Sequence, residues 1–258
     1  MGFIDGYLKS PFSGIVPWVL MSVLSGPGRF EEAASAALGL MLLTLWAGSR
    51  RGIRVHLLET FGAAFFGVLA ILGLVAPDNV IGWLEVWAGE LSSIALALFA
   101  IVTLLIRKPF TMAYARDTTP SEHWDTPQFK KINNAISGAW AFSFTVSAIS
   151  GAVSNTVMRD GDDFWTSWIL PLAATFFAIQ FTEFYPDYAM AKFSQEIGEP
   201  TDPPGSLLRL LDWLPPFVVA TGIAGWVTDE VPAGVAIGLI VVGSVVSGLV
   251  RKPEKTKA

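Results

Sequence analysis

Cysteine occurs nowhere in the 258 residues. Its absence excludes disulfides, thiolate metal sites and thiol nucleophiles together. Histidine occurs only at His56 and His123. Two imidazoles are too few for a multi-histidine metal centre within one chain, so no metal and no cofactor is expected. Charge is scarce: Asp, Glu, Lys and Arg make up 15% of the chain, where a soluble domain carries about 25%. A chain so poor in charge cannot clothe a water-facing surface. Enzyme signatures are missing too, with no P-loop, no GxSxG, no HExxH and no Asp-rich diphosphate motif. No catalytic residues and no nucleic-acid partner are expected.

What the chain has in abundance is apolar sequence, 52% by composition, with a mean hydropathy of +0.53. The apolar residues come in blocks at 41–46, 61–76, 94–106, 169–179 and 235–250. These lie within runs approaching the ~20 residues that cross hydrocarbon. A soluble core would interrupt them with polar positions at helical period. The reading is an all-α, polytopic transmembrane helix bundle, a single integral membrane domain over 1–258. About eight spans are expected, at 11–27, 31–48, 56–76, 83–106, 133–156, 165–185, 212–228 and 231–250. Pro11 and Pro17 weaken the first and Pro215 and Pro216 the seventh, which leaves a six-span alternative. Residues 1–12 carry Asp5 and Lys9 without a small-residue cleavage site, so no removable signal peptide is read.

Orientation follows from the cations. With both termini in the cytoplasm, the inner side holds Lys9, Arg50, Arg51, Arg54, Arg107, Lys108, Arg116, Lys130, Lys131, Lys192, Arg209, Arg251, Lys252, Lys255 and Lys257. Only Arg29 and Arg159 fall outside. Trp83, Trp87, Trp165, Trp168 and Trp226 sit near outer span ends and Trp46 and Trp213 near inner ones, as an interfacial belt requires.

Polar groups inside spans are the candidate functional residues. Glu90 lies about 10 Å below the outer end of its span, on a stripe with Ser93, Ala97 and Ala100. It is either a proton- or cation-binding carboxylate or a hydrogen-bonded helix contact. Ser143, Ser147, Ser150 and Ser154 form one stripe of the fifth span at i, i+4, i+7 and i+11. Close helix packing explains them, and so does a hydrophilic path with Glu90 or Gln180 opposite. Gly234 and Gly238 form a GxxxG of the same packing kind. His56 and Glu59, three apart at an inner span end, read as a solvated ion-pair cluster with Arg51 and Arg54. The acidic outer turn from Arg159 to Asp163 reads as solvated rather than calcium-binding.

Two long inner loops, 107–132 and 186–211, exceed what a turn needs. Their aromatic and basic residues suit anionic headgroups or a partner subunit. The candidate interaction surface is Arg107, Lys108, Tyr114, Arg116, Trp124, Lys130, Lys131 and Tyr188.

Lys108-Pro109, then Pro120-Ser121-Glu122-His123-Trp124, then Asn133 or Asn134, then Trp140 leading into Phe142 and Phe144 resemble the intracellular septation protein A family. The likeness covers about 35 residues and the arrangement of preceding spans. It implies a bacterial inner-membrane protein with an envelope or division role and no assigned activity or cofactor. The function expected is a non-enzymatic accessory or scaffold docking partners or anionic lipid on its cytoplasmic face. A membrane-protein partner or a second copy could occupy that face. The rival is a small secondary transporter or channel using Glu90 and the serines. A lipid-modifying enzyme would need clustered catalytic groups at the inner interface, such as His56 with Glu59.

Overall fold

The computed structural model describes residues 3–161 and 163–250. Asp162 and the C-terminal cations Arg251, Lys252, Lys255 and Lys257 lie outside the described residues. Among the described residues the chain is helical, with no strand. Six helices are long and apolar enough to cross a membrane, and two shorter apolar helices accompany them. The chain divides into two compact units, Met1–Gly161 and Asp162–Ala258.

The first unit opens with a short helix, α1 (Phe3–Leu8), and α2 (Phe12–Leu24), which carries Pro17 within its 13 residues. Then come α3 (Phe30–Arg50), α4 (Leu57–Val75) and α5 (Asp78–Leu105). A short α6 (Thr111–Thr118) precedes α7 (Pro127–Val153), which ends in a π turn, Ser154–Met158. In this unit α5 packs along α7, α3 along α4, and α2 against α3, α4 and α5. Small residues let the backbones approach, as lipid-embedded packing demands: Ala33, Ala34, Ala37, Ala88 and Ala100 are fully buried. The fully buried Trp18 of α2 stacks on Phe61 and Phe65 of α4 and tilts against Phe66, with centroids 4.7–5.5 Å apart. Phe61 in turn stacks on Phe99 of α5 at 5.0 Å. This aromatic layer is the core of the unit.

The second unit starts with a π turn, Phe164–Ile169, continuing into α8 (Leu170–Glu196), followed by α9 (Leu214–Val227) and α10 (Ala233–Val250). Asp163 begins it as an N-cap, accepting from the Thr166 amide at 2.8 Å and its hydroxyl at 2.6 Å. That engagement accounts for one carboxylate of the acidic turn from Arg159 to Asp163. α9 and α10 form a hairpin whose close approach depends on glycine: a Cβ at Gly222 would meet the Ala236 carbonyl at 2.8 Å, and one at Gly243 the Pro215 carbonyl at 2.8 Å. The GxxxG pair Gly234 and Gly238 does not meet α9. Ala236, fully buried, marks the face that does, and positions two away point about 200° round the helix.

Two segments expected to be long loops differ from that expectation. Residues 107–126 hold α6 and a 3₁₀ turn, Ser121–His123. α7 starts at Pro127, with the Thr126 hydroxyl accepting from the Phe129 amide at 3.3 Å. α8 runs through Pro186 to Glu196 and a 3₁₀ turn follows at Leu207–Leu211, so the second loop too is partly helical. With its π turn, α8 makes 33 residues, about 50 Å, against about 30 Å of hydrocarbon. It is longer than the hydrocarbon is thick, so hydropathy alone does not report its full length.

Candidate functional site

The end of the first unit where α4 begins gathers charge that the sequence scatters over about 60 residues. His56 precedes α4 in extended backbone, and Glu59 on the first turn reaches back to accept its amide at 3.0 Å. That is the reciprocal half of a capping box. The other carboxylate oxygen accepts from the Tyr114 hydroxyl of α6 at 2.8 Å. Ser13 of α2 approaches the same oxygen at 3.4 Å, but its single hydrogen is better placed on the Ser10 carbonyl at 2.9 Å. The His56 ring stacks on Tyr114, centroids 4.2 Å apart, and its Nε2 lies 2.9 Å from the Asp117 carboxylate of α6. Its Nδ1 lies 3.7 Å from Glu59.

Glu59, His56 and Tyr114 are buried at 4%, 7% and 3% exposure. The solvated cluster expected here is therefore corrected: the acid and imidazole are sealed under α6. Nor is Arg51 their partner, since it pairs with Asp5 of α1. Arg54 lines a small pocket beside Glu59, with Ser13, Thr44, Gly48 and Ile53. Room for Tyr114 comes from Gly14, where a Cβ would lie 3.0 Å from the phenol oxygen and 2.8 Å from Leu58. Burial first, then the Glu59 charge, pushes the Tyr114 phenol well above its ordinary pKa. It stays a donor. For His56, burial works toward the neutral ring, but the adjacent Glu59 carboxylate and the charge and hydrogen bond of Asp117 outweigh it. The imidazole pKa is raised above its ordinary value.

α6 is tied down at its other end as well. The Thr111 and Ser137 hydroxyls meet at 2.7 Å, and Thr111 also donates to the Asn133 carbonyl at 3.2 Å. Trp140, one turn on, is fully buried against Phe12 and Phe144. Within the septation-like stretch, Pro109, Asn133 and Trp140 are thus internal, and Lys108 is exposed. Of the proposed interaction surface, Arg107, Lys108, Arg116, Lys130 and Lys131 are exposed. Arg116 lies over the Trp124 ring at 5.3 Å, Trp124 donates to the Thr119 carbonyl at 2.9 Å, and Lys130 pairs with Asp125 at 3.0 Å. Tyr114 is the exception, turned inward and closed to a partner. Tyr188, half-buried in the second unit, stacks on Phe184.

At the other carboxylate, Glu90 is buried at 6% exposure. It lies against Gly151 of α7, where an added Cβ would collide with its carboxylate oxygen. Its Oε1 has no hydrogen-bond partner among the described residues. Ser143, Ser150 and Ser154 are buried and Ser147 half-buried, so Glu90 and the stripe share the α5–α7 contact. Ser147 donates to the Ser143 carbonyl at 3.1 Å and Ser150 to the Ser147 carbonyl at 3.2 Å. Those hydroxyls spend their hydrogens on their own helix. Gln180 is half-buried in the second unit.

Asp117 and the inward role of Tyr114 were missed. The available signal was a pair of i, i+3 spacings, His56 with Glu59 and Tyr114 with Asp117, each placing two groups on one face. No family model, no curated protein and no solved structure matches the chain.

Proposed function

We propose that the chain crosses a bacterial inner membrane eight times, with both termini in the cytoplasm. There it serves as a non-enzymatic scaffold of the envelope or division apparatus, docking anionic lipid or a membrane-protein partner on its inner face. One observation carries this reading: residues 107–126 form a platform pinned along α6 by Thr111, Tyr114 and Asp117, with Arg107, Lys108 and Arg116 exposed on it. A pinned cationic surface offers its charges without first ordering them. The six membrane-length helices and two shorter apolar ones support the span count. The inner cluster does not favour a lipid-modifying enzyme, because both ring nitrogens of His56 face carboxylates. Such a ring holds helices together and offers no base to a substrate.

Lys108→Gln and Lys131→Gln test the docking. Each should weaken retention of phosphatidylglycerol over phosphatidylcholine by about 1 kcal/mol, roughly five-fold, read by native mass spectrometry. Unchanged lipid retention with loss of a co-purifying membrane protein would assign the platform to that protein. If neither changes, the docking reading fails.

A second reading, a small secondary transporter or channel, is favoured by Glu90, a buried carboxyl with an oxygen lacking a partner among the described residues. Glu90→Gln separates the two, because glutamine keeps the shape and cannot titrate.

A further inference from the structure

We propose that His56 is a proton-binding site that latches α6 onto the first unit: protonated, it pairs Glu59 and Asp117 at once, and on giving up its proton to the inner aqueous phase it lets α6 lift. The inference goes beyond the docking reading and stands whether or not the platform docks anything. It rests on the geometry of three elements. α4 contributes His56 and Glu59, and α6 contributes Asp117 at 2.9 Å and Tyr114, stacked on the ring. α2 contributes only the Ser13 hydroxyl. The preceding loop brings Arg54 to the pocket beside Glu59, while Arg51 is engaged with Asp5.

One buried carboxylate, Glu59, and one part-buried carboxylate, Asp117, therefore face one imidazole. An imidazolium presents an N–H to each and a positive charge between them; a neutral ring keeps a single N–H, and the two carboxylates lose the cation they share. Burial magnifies that loss, because water has little access to screen the charges left behind. Relief is available in one direction. The Asp117 side chain keeps 14% exposure, so moving α6 outward hydrates Asp117, whereas Glu59 is fixed on α4. The Thr111–Ser137 tie at the start of α6 is made of hydroxyls that do not titrate here. It is the natural pivot.

The sign follows from the raised imidazole pKa. The contribution of His56 to the closed state is complete below the ordinary histidine value. It is lost as pH climbs through the raised value. Release should thus have a midpoint above about pH 6.5.

The test uses the full-length chain in nanodiscs, with nitroxides on cysteines replacing Ser49 at the end of α3 and Thr118 at the end of α6, both exposed. Pulsed EPR should give one narrow distance at about pH 5.5 and a second, longer population at about pH 9. His56→Gln should remove the pH dependence. Asp117→Asn should move the midpoint toward the ordinary histidine value. An identical distribution at both pH values overturns the proposal, and so does a pH response that survives His56→Gln. Should His56→Gln fail to fold, an unmoved midpoint in Asp117→Asn overturns it instead.

Discussion

Glu59→Ala is expected to lower the stability of the first unit by about 3–5 kcal/mol, the range for removing one partner of a buried charged pair. The carboxylate accepts from Tyr114 at 2.8 Å and from the His56 amide at 3.0 Å. Alanine strands both donors where water has little access, at about 1–3 kcal/mol for each unsatisfied group. It also leaves His56 with Asp117 alone. Glu59→Gln keeps an acceptor and loses the charge, so its cost should be smaller. Tyr114→Phe removes a single donor and should cost about 1 kcal/mol. Unfolding in mixed micelles measures all three. A Glu59→Ala protein within about 0.5 kcal/mol of wild type would mean that Tyr114 and His56 are solvated and the cluster holds nothing.

The second large effect is expected at Gly151. Valine there places methyl groups where the Glu90 carboxylate lies, and Glu90 is 6% exposed with little room to swing away. Overpacking of a well-packed contact costs about 1–3 kcal/mol, and a displaced buried carboxylate puts Gly151→Val at the upper end. Combining it with Glu90→Ala should recover more than half of the loss, the coupling expected of residues in direct contact. Additive losses would mean that the two do not touch. Glu90→Gln alone should leave unfolding unchanged. The scaffold reading then predicts intact docking and no proton or cation flux in proteoliposomes of either protein. A flux present in wild type and absent in a folded Glu90→Gln would transfer the function to the second reading.

The helices were legible because hydrocarbon imposes its own length and polarity on a sequence. Their ends were not. α5 starts at Asp78 and α7 at Pro127, five and six residues before the hydrophobic limits suggested. Caps and prolines set helix ends, whereas hydropathy marks only where lipid begins. The same gap hid the last turns of α8. Packing partners were legible only in part. The serine stripe was readable as a face, most of it is buried, and Gly151, which lies on the same face, meets Glu90 of α5. The GxxxG pair gave a face that misses α9, because the backbone approach falls on Gly222 and Gly243, where the hairpin geometry needs it.

The inner cluster shows a harder limit. His56 and Asp117 are 61 residues apart, and no periodicity links them. As separate segments, His56 with Glu59 beside three arginines looks like a solvated surface, and Tyr114 among cations looks like a docking aromatic. Burial reverses both readings. It arises only when α6 folds back, held by Thr111 on Ser137, a contact between two unremarkable hydroxyl residues.

The account depends above all on α6 lying at the inner face while the α4–α5 turn lies at the outer one, and the cysteine-free chain allows a direct measurement. Single cysteines replacing Asn79 and Thr118, both exposed, are to be treated with a membrane-impermeant maleimide in intact cells and in inverted vesicles. The expected result is labelling of Asn79→Cys only from outside and of Thr118→Cys only from inside. Labelling of both from one side would contradict it, since α5 would then not cross the membrane and the cluster beneath α6 could not sit at an inner end.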